Sequence, residues 1–117
     1  MSHYDTNLDK NSANFVPLTP LTFLMRAKEI YPEYEAVMYE DRKYTWAQVY
    51  KRTIKFASAL NKIGIKKGDT VSFLAFNTPE IFEGHYSVPM SGAVLNTINI
   101  RLDAKTIAYI LEHSDAK

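Results

Sequence analysis

The turn Phe76-Asn77-Thr78-Pro79 stands where a strand gives way to a helix, the place at which a layered α/β fold holds a phosphate on helix N-terminal amides. Such a cradle needs glycine, because only a backbone without Cβ lets the amides close on the oxygens, and this turn has none. The glycines of the chain, Gly64, Gly68, Gly84 and Gly92, fall in neither G-x-G-x-x-G nor G-x-x-x-x-G-K-S/T spacing. His3, His85 and His113 are too far apart to offer a metal ion an i, i+4 pair. His85 shares a helix face with Ile81, Phe82 and Pro89, which predicts an imidazole in the layer against the sheet, either as a hydrogen-bonded core residue or as a substrate contact. Glu80, Glu83 and Glu112 are expected at helix ends and on polar faces, where they serve the helix dipole and solubility. Lys51, Arg52, Lys55 and Lys62 could gather a phosphate, but charges on one exterior helix face commonly do no more than meet water. With no G-x-S-x-G turn and no cysteine, the familiar nucleophile arrangements are absent. Taken singly, these residues give no active site.

The elements that would position them are clearer. Thr19-Pro20 predicts a helix start with proline at the first position, and Leu21, Leu24, Met25 and Lys28 keep helical spacing up to Tyr31-Pro32. Ala36-Val37-Met38-Tyr39, the turn at Glu40-Asp41-Arg42 and Lys43-Tyr44 predict a small hairpin laid on the helices. Thr45-Trp46-Ala47-Gln48 has the capping-box form, so a helix should begin at Trp46. Its apolar face runs through Val49, Tyr50, Thr53, Phe56, Ala57, Leu60 and Ile63, and Gly64 ends it. Residues 70–76 and 93–97 read as strands, with a helix from Thr78-Pro79 to about Met90 between them and another from Asp103 to about His113. The first strand is apolar on both faces and so belongs inside a parallel sheet. The order strand, helix, strand, helix implies an α/β layered fold with parallel βαβ crossovers. Ser114-Asp115-Ala116-Lys117 looks like a turn from helix to strand, and on that pattern the layered fold is incomplete.

Bulk composition narrows the partners. The chain has 117 residues, 46% hydrophobic and 13% aromatic, as befits one core-forming domain. Its 14 basic and 13 acidic residues leave a net charge of +1, too little to gather nucleic acid. No apolar run has the length of a transmembrane segment and no signal-peptide pattern opens the chain, so the expected location is cytoplasmic. Residues 1–16 are polar and aperiodic, as in an extended arm.

Taken in order, Leu8-Asp9-Lys10-Asn11, Pro17-Leu18-Thr19-Pro20, Tyr44-Thr45-Trp46, Gly64-Ile65-Lys66-Lys67-Gly68-Asp69, Asn77-Thr78-Pro79, Gly92-Ala93-Val94-Leu95-Asn96 and Asn99-Ile100-Arg101-Leu102 form a pattern. It resembles the amino-terminal segment of the AMP-forming acyl-CoA synthetases, in the adenylate-forming superfamily, and especially the branch of medium-chain acyl-CoA and methylmercaptopropionate-CoA ligases. The resemblance implies that residues 17–117 are an incomplete N-terminal α/β subdomain of an AMP-binding domain, preceded by the arm over residues 1–16. It further implies a parent enzyme that activates a carboxylic acid with ATP and Mg2+ to an acyl-adenylate and passes the acyl group to CoA, with a homodimer as one form of the assembly. The phosphate loop, acyl pocket and catalytic lysine of the family come later than the matching segment, so the resemblance assigns no catalytic, cofactor-binding or metal residue here, and the segment alone is expected to be inactive. A stand-alone α/β interaction module without catalysis is the competing expectation.

Overall fold

Proline at the first helical position and apolar residues at helical spacing, Leu21, Leu24 and Met25, set the first helix, α1 (Pro20–Ile30), in a computed structural model that describes residue 7 and residues 9–117. Of the expected arm, residues 1–6 and 8 lie outside the described residues. Farther along it, Asn11 N donates to Asn14 Oδ1 (2.9 Å) and Asn14 Nδ2 donates to Asp9 O (3.0 Å), so this stretch is a hydrogen-bonded turn and not extended chain. Leu24 is the buried residue of α1.

Strands β1 (Glu35–Tyr39) and β2 (Arg42–Thr45) pair antiparallel as the expected hairpin, with Glu40 at φ 53° in its turn. Helix α2 (Trp46–Lys62) then starts on a complete capping box. Gln48 N donates to Thr45 Oγ1 (3.3 Å) while Thr45 N donates to Gln48 Oε1 (2.9 Å), so two backbone donors that the helix leaves over are satisfied at once. Val49, Thr53, Ala57 and Leu60 form its buried stripe, and Gly64, at φ 96°, takes the left-handed position that ends it. Ile63 departs from expectation: it is the C-cap residue, turned off the stripe and 77% exposed.

The second half is a parallel unit. Strands β3 (Thr70–Leu74) and β4 (Val94–Ile98) pair in register from Thr70 opposite Val94 to Leu74 opposite Ile98, joined by helix α3 (Pro79–Met90). Helix α4 (Ala104–His113) follows, capped by Asp103, whose Oδ1 accepts from Lys105 N (3.0 Å) and Thr106 N (3.1 Å). Past α4 the chain returns to the sheet: Ala116 bridges Thr70 in parallel, and Lys117 N donates to Thr70 O (3.0 Å). Thr70 thus has neighbours on both sides.

Leu60, Val71, Val88 and Ala93 make the core, with Phe56, Ile65, Phe73 and Leu95 packed on it. Helix α3 comes so near the sheet that a Cβ on Gly84 would lie 2.9 Å from Phe73 Cζ, which explains the one glycine that no turn or helix end requires. The opposite sheet face carries a polar contact, Asn96 Nδ2 donating to Ser72 Oγ (2.9 Å) and Ser114 Oγ (3.2 Å). Strand β3 is shorter than the expected 70–76: it ends at Leu74, which is 53% exposed, and Phe76, 70% exposed, lies beyond it, so the second face within β3 is Ser72 and Leu74.

Candidate functional site

The ends of β3 and β4 at which a parallel sheet presents its ligands open into a cleft of about 600 Å³. Phe76, Asn77, His85, Thr97, Asn99 and Arg101 line it. A second, more apolar cleft of about 620 Å³ lies between β1 and α3 and shares Asn77, Ile81 and His85 with the first. Both linings contain the Asn77 amide and the His85 imidazole, the first adds Asn99 and the Arg101 guanidinium, and neither contains a carboxylate or a paired nucleophile and base.

The turn from 76 to 79 is held by its own groups. Thr78 is extended at the N-cap and makes no side-chain cap bond, Thr78 N donates to Phe76 O (2.8 Å), and Pro79 is buried at the first position of α3. Thr78 N is thus occupied within the turn, and Pro79 has no N–H to offer. Among the described residues no group of three or more His, Asp or Glu side chains comes together as a metal site. His3 lies outside the described residues, and His113 stacks on Tyr109 at 5.5 Å between ring centres. Glu112 is exposed, as expected.

His85 does not take the position expected of it. Its side chain is exposed at the junction of the two clefts, with Nδ1 2.8 Å from Ile81 O. Because a carbonyl can only accept, Nδ1 is the donor of that contact. The face of α3 turned inward is instead Pro79, Glu83, Gly84, Ser87 and Val88. Small side chains face the sheet because the helix is too close to it for large ones.

That inward face carries a group the sequence placed outside. Glu83 is buried, and its carboxylate accepts a hydrogen bond from Arg52 Nε on α2. Arg52 Nη2 also lies 3.8 Å from Glu80 Oε1, and its guanidinium covers the Tyr44 ring at 4.6 Å. Arg42 Nη1 on β2 donates to Glu80 Oε1 (2.7 Å). Arg52 is therefore no part of a solvated lysine face, and Glu83 serves no helix dipole: four charges clamp β2, α2 and α3 together. The Arg42 guanidinium, followed by the Thr78 hydroxyl, holds the Glu80 carboxyl at about 2, well below its ordinary 4.5. The sequence held one signal for this cluster. Pro79, Glu83 and Ser87 recur every four residues, so the carboxylate sits on a stripe otherwise made of small side chains.

Among the described residues no helix is long and apolar enough to cross a membrane. Comparison with known proteins gives the relationship. The chain is 54% identical over 110 residues to a peroxisomal trans-cinnamate:CoA ligase of Petunia hybrida, covering 94% of this chain and 19% of that protein. It is 52% identical over 111 residues to a peroxisomal butyrate–CoA ligase of Arabidopsis thaliana, covering 95% of this chain and 19% of the relative. The chain thus spans about a fifth of the length of these curated relatives. In three dimensions it matches the O-succinylbenzoate coenzyme A synthetase of Bacillus subtilis, in complex with ATP and a magnesium ion, with a TM-score of 0.76 and 26% identity. That match covers 80% of this chain and 26% of the solved one. Residues 24–117 match the family model described as AMP-binding enzyme, and the chain belongs to that family.

Proposed function

We propose that the chain is the amino-terminal segment of an AMP-forming acid–CoA ligase, with residues 17–117 contributing part of its large α/β domain. The observation that carries this reading is the 54% and 52% identity, along nearly the whole chain, to two proteins named as CoA ligases. In the proposed reaction a carboxylate oxygen attacks the α-phosphorus of ATP, the bond to the bridging oxygen breaks, and pyrophosphate leaves. The CoA sulfur then attacks the acyl carbon, and AMP departs with the electron pair of the broken C–O bond. Adenylation replaces a leaving group too basic to expel with one that leaves readily. Mg2+ would neutralise charge on the phosphates.

The described residues do not fit ATP or Mg2+: the turn at 76–79 has no glycine with which to close its amides on a phosphate, and no acidic cluster gathers a cation. No step of the reaction is assigned to them. What they supply is scaffold, a parallel edge whose helix α3 is fixed by the Arg42, Glu80, Arg52 and Glu83 clamp. A homodimer belongs to the same proposal, as does a cytoplasmic location, for which the two relatives named as peroxisomal provide the alternative. Sedimentation and imaging of the tagged full-length protein test these two points.

The activity test is pyrophosphate exchange. A full-length protein carrying this segment should exchange labelled pyrophosphate into ATP only when a carboxylic acid is present, and should release AMP as it consumes CoA. ADP and phosphate as products would overturn the assignment. The 117-residue chain by itself should give no acid-dependent exchange.

A further inference from the structure

The small net charge of the chain conceals an uneven distribution. No acidic residue falls between Asp41 and Asp69, while eight of the 14 basic residues do, so residues 42–68 carry +8 and the six basic and 13 acidic residues elsewhere give −7. Three of the eight have partners: Arg42 and Arg52 meet Glu80 and Glu83, and Lys43 meets Glu35. Lys51, Lys55, Lys62, Lys66 and Lys67 are all exposed, and among the described residues none of the five is in an ion pair. Asp69, which closes the stretch, accepts from Lys66 N (2.8 Å). At about 100° and about 1.5 Å per residue, Lys51, Lys55 and Lys62 fall within about 40° of one another and form a straight row of about 16 Å. That row lies on the side of α2 opposite its buried stripe of Val49, Thr53, Ala57 and Leu60. Ile54, about 60° round the helix from Lys51, and Ile63, next to Lys62, are 41% and 77% exposed beside it.

From this arrangement we infer that the outer face of α2, continued by Lys66 and Lys67, is a docking surface for an anionic lipid membrane, on which the helix lies flat. A plane of negative headgroups meets a straight row of compact ammonium groups without any matching of individual charges, and Ile54 and Ile63 enter the headgroup layer beside it. Nucleic acid fits the face less well. The arginines of this stretch, which would grip phosphates in pairs, are engaged by Glu80 and Glu83, and no aromatic ring of α2 is exposed for a base to stack on. Covering the row with more protein would bury three ammonium groups on a face that has no acid to meet them, so it stays open in a longer polypeptide as well. The inference is independent of the ligase reading.

Co-sedimentation of the full-length protein with phosphatidylcholine vesicles, with and without phosphatidylserine, tests it. The protein should pellet with the phosphatidylserine vesicles and stay free of the neutral ones. Raising the salt from about 0.1 M to about 1 M, which shortens the screening length from about 10 Å to about 3 Å, should release it. Lys51→Gln, Lys55→Gln and Lys62→Gln together should weaken binding about a hundredfold, since each lysine near such a surface contributes about fivefold, and arginine at the same three positions should retain it. The three side chains are exposed, so the melting temperature should be unchanged in both variants. Removing as much charge from other exposed positions, with Lys10→Gln, Arg26→Gln and Lys105→Gln, should leave binding as it was. Equal binding to neutral vesicles, no binding to phosphatidylserine at low salt, undiminished binding by the first variant or an equal loss in the last would each overturn the inference. Binding of soluble polyglutamate through the same lysines, without vesicle binding, would assign the face to an acidic protein and also overturn it.

Discussion

Removing Arg52 should cost far more stability than removing the charge of Glu83, although the two are partners in one ion pair. The asymmetry follows from where each side chain sits. The Glu83 side chain is 7% exposed, whereas that of Arg52 is 38% exposed. Arg52→Ala strands a carboxylate in the layer between α2 and α3, and breaking a buried pair in this way costs about 3–5 kcal/mol. Water reaches part of Arg52 already, so the lower half of that range applies, about 3 kcal/mol. Glu83→Gln leaves a guanidinium that water can solvate and that keeps Glu80 at 3.8 Å and the Tyr44 ring at 4.6 Å, for a loss of about 1 kcal/mol. Urea unfolding followed by circular dichroism reads both values, since a slope of about 1–3 kcal/mol per molar turns the difference into a clear shift of midpoint. Starting the titrations in trimethylamine oxide keeps the weaker variant within range. The double variant Arg52→Ala with Glu83→Gln should be more stable than Arg52→Ala alone, because it no longer buries a lone charge. Equal losses for the two single variants, or a double variant no better than Arg52→Ala, would refute the reasoning.

The close approach at Gly84 gives a second expectation: Gly84→Ala gains about 1 kcal/mol of helix propensity but forces Phe73, which is backed by Phe56 at 5.8 Å, at an overpacking cost of about 1–3 kcal/mol. The melting temperature should fall by a few degrees, and a rise would show that the ring yields freely. Glu80 sets a pH window: its carboxyl is held at about 2 against an ordinary 4.5, so its contribution to stability is complete above about 4.5 and is lost as pH falls towards 2. The contribution is small because water screens the pair, so the direct check is the NMR titration midpoint of Glu80, which Arg42→Gln should return towards 4.5.

What the sequence displayed well was local. The capping box at Thr45 and Gln48 and the left-handed glycine at Gly64 each involve groups within one turn of helix, so residue types and spacing determine them. Strand alternation in β3 likewise requires only neighbours. The inward face of α3 is not legible in the same way, because bulk does not mark burial there. Ile81, Phe82 and His85 are the large side chains, but the sheet is so near that Gly84, Ser87 and Val88 face it, and that distance is a property of the packed fold. The ion clamp was out of reach for a similar reason: Arg52 and Glu83 sit on different helices, and nothing within either helix names the other. The candidate site is the least legible part, because its lining comes from the ends of β3, β4 and α3, which meet only in the packed fold.

The position of Thr70, paired with Val94 on one side and Ala116 on the other, has a consequence for the order of folding. The partner at Val94 lies one helix away along the chain, while the partner at Ala116 lies a further strand and helix beyond it. Closing the shorter loop loses less chain entropy, so pairing with β4 is expected to come first and to present a ready edge to the later arrival. A slow phase in refolding should then report the Ala116 side, and substitutions there should quicken unfolding while leaving the rate of the first closure unchanged.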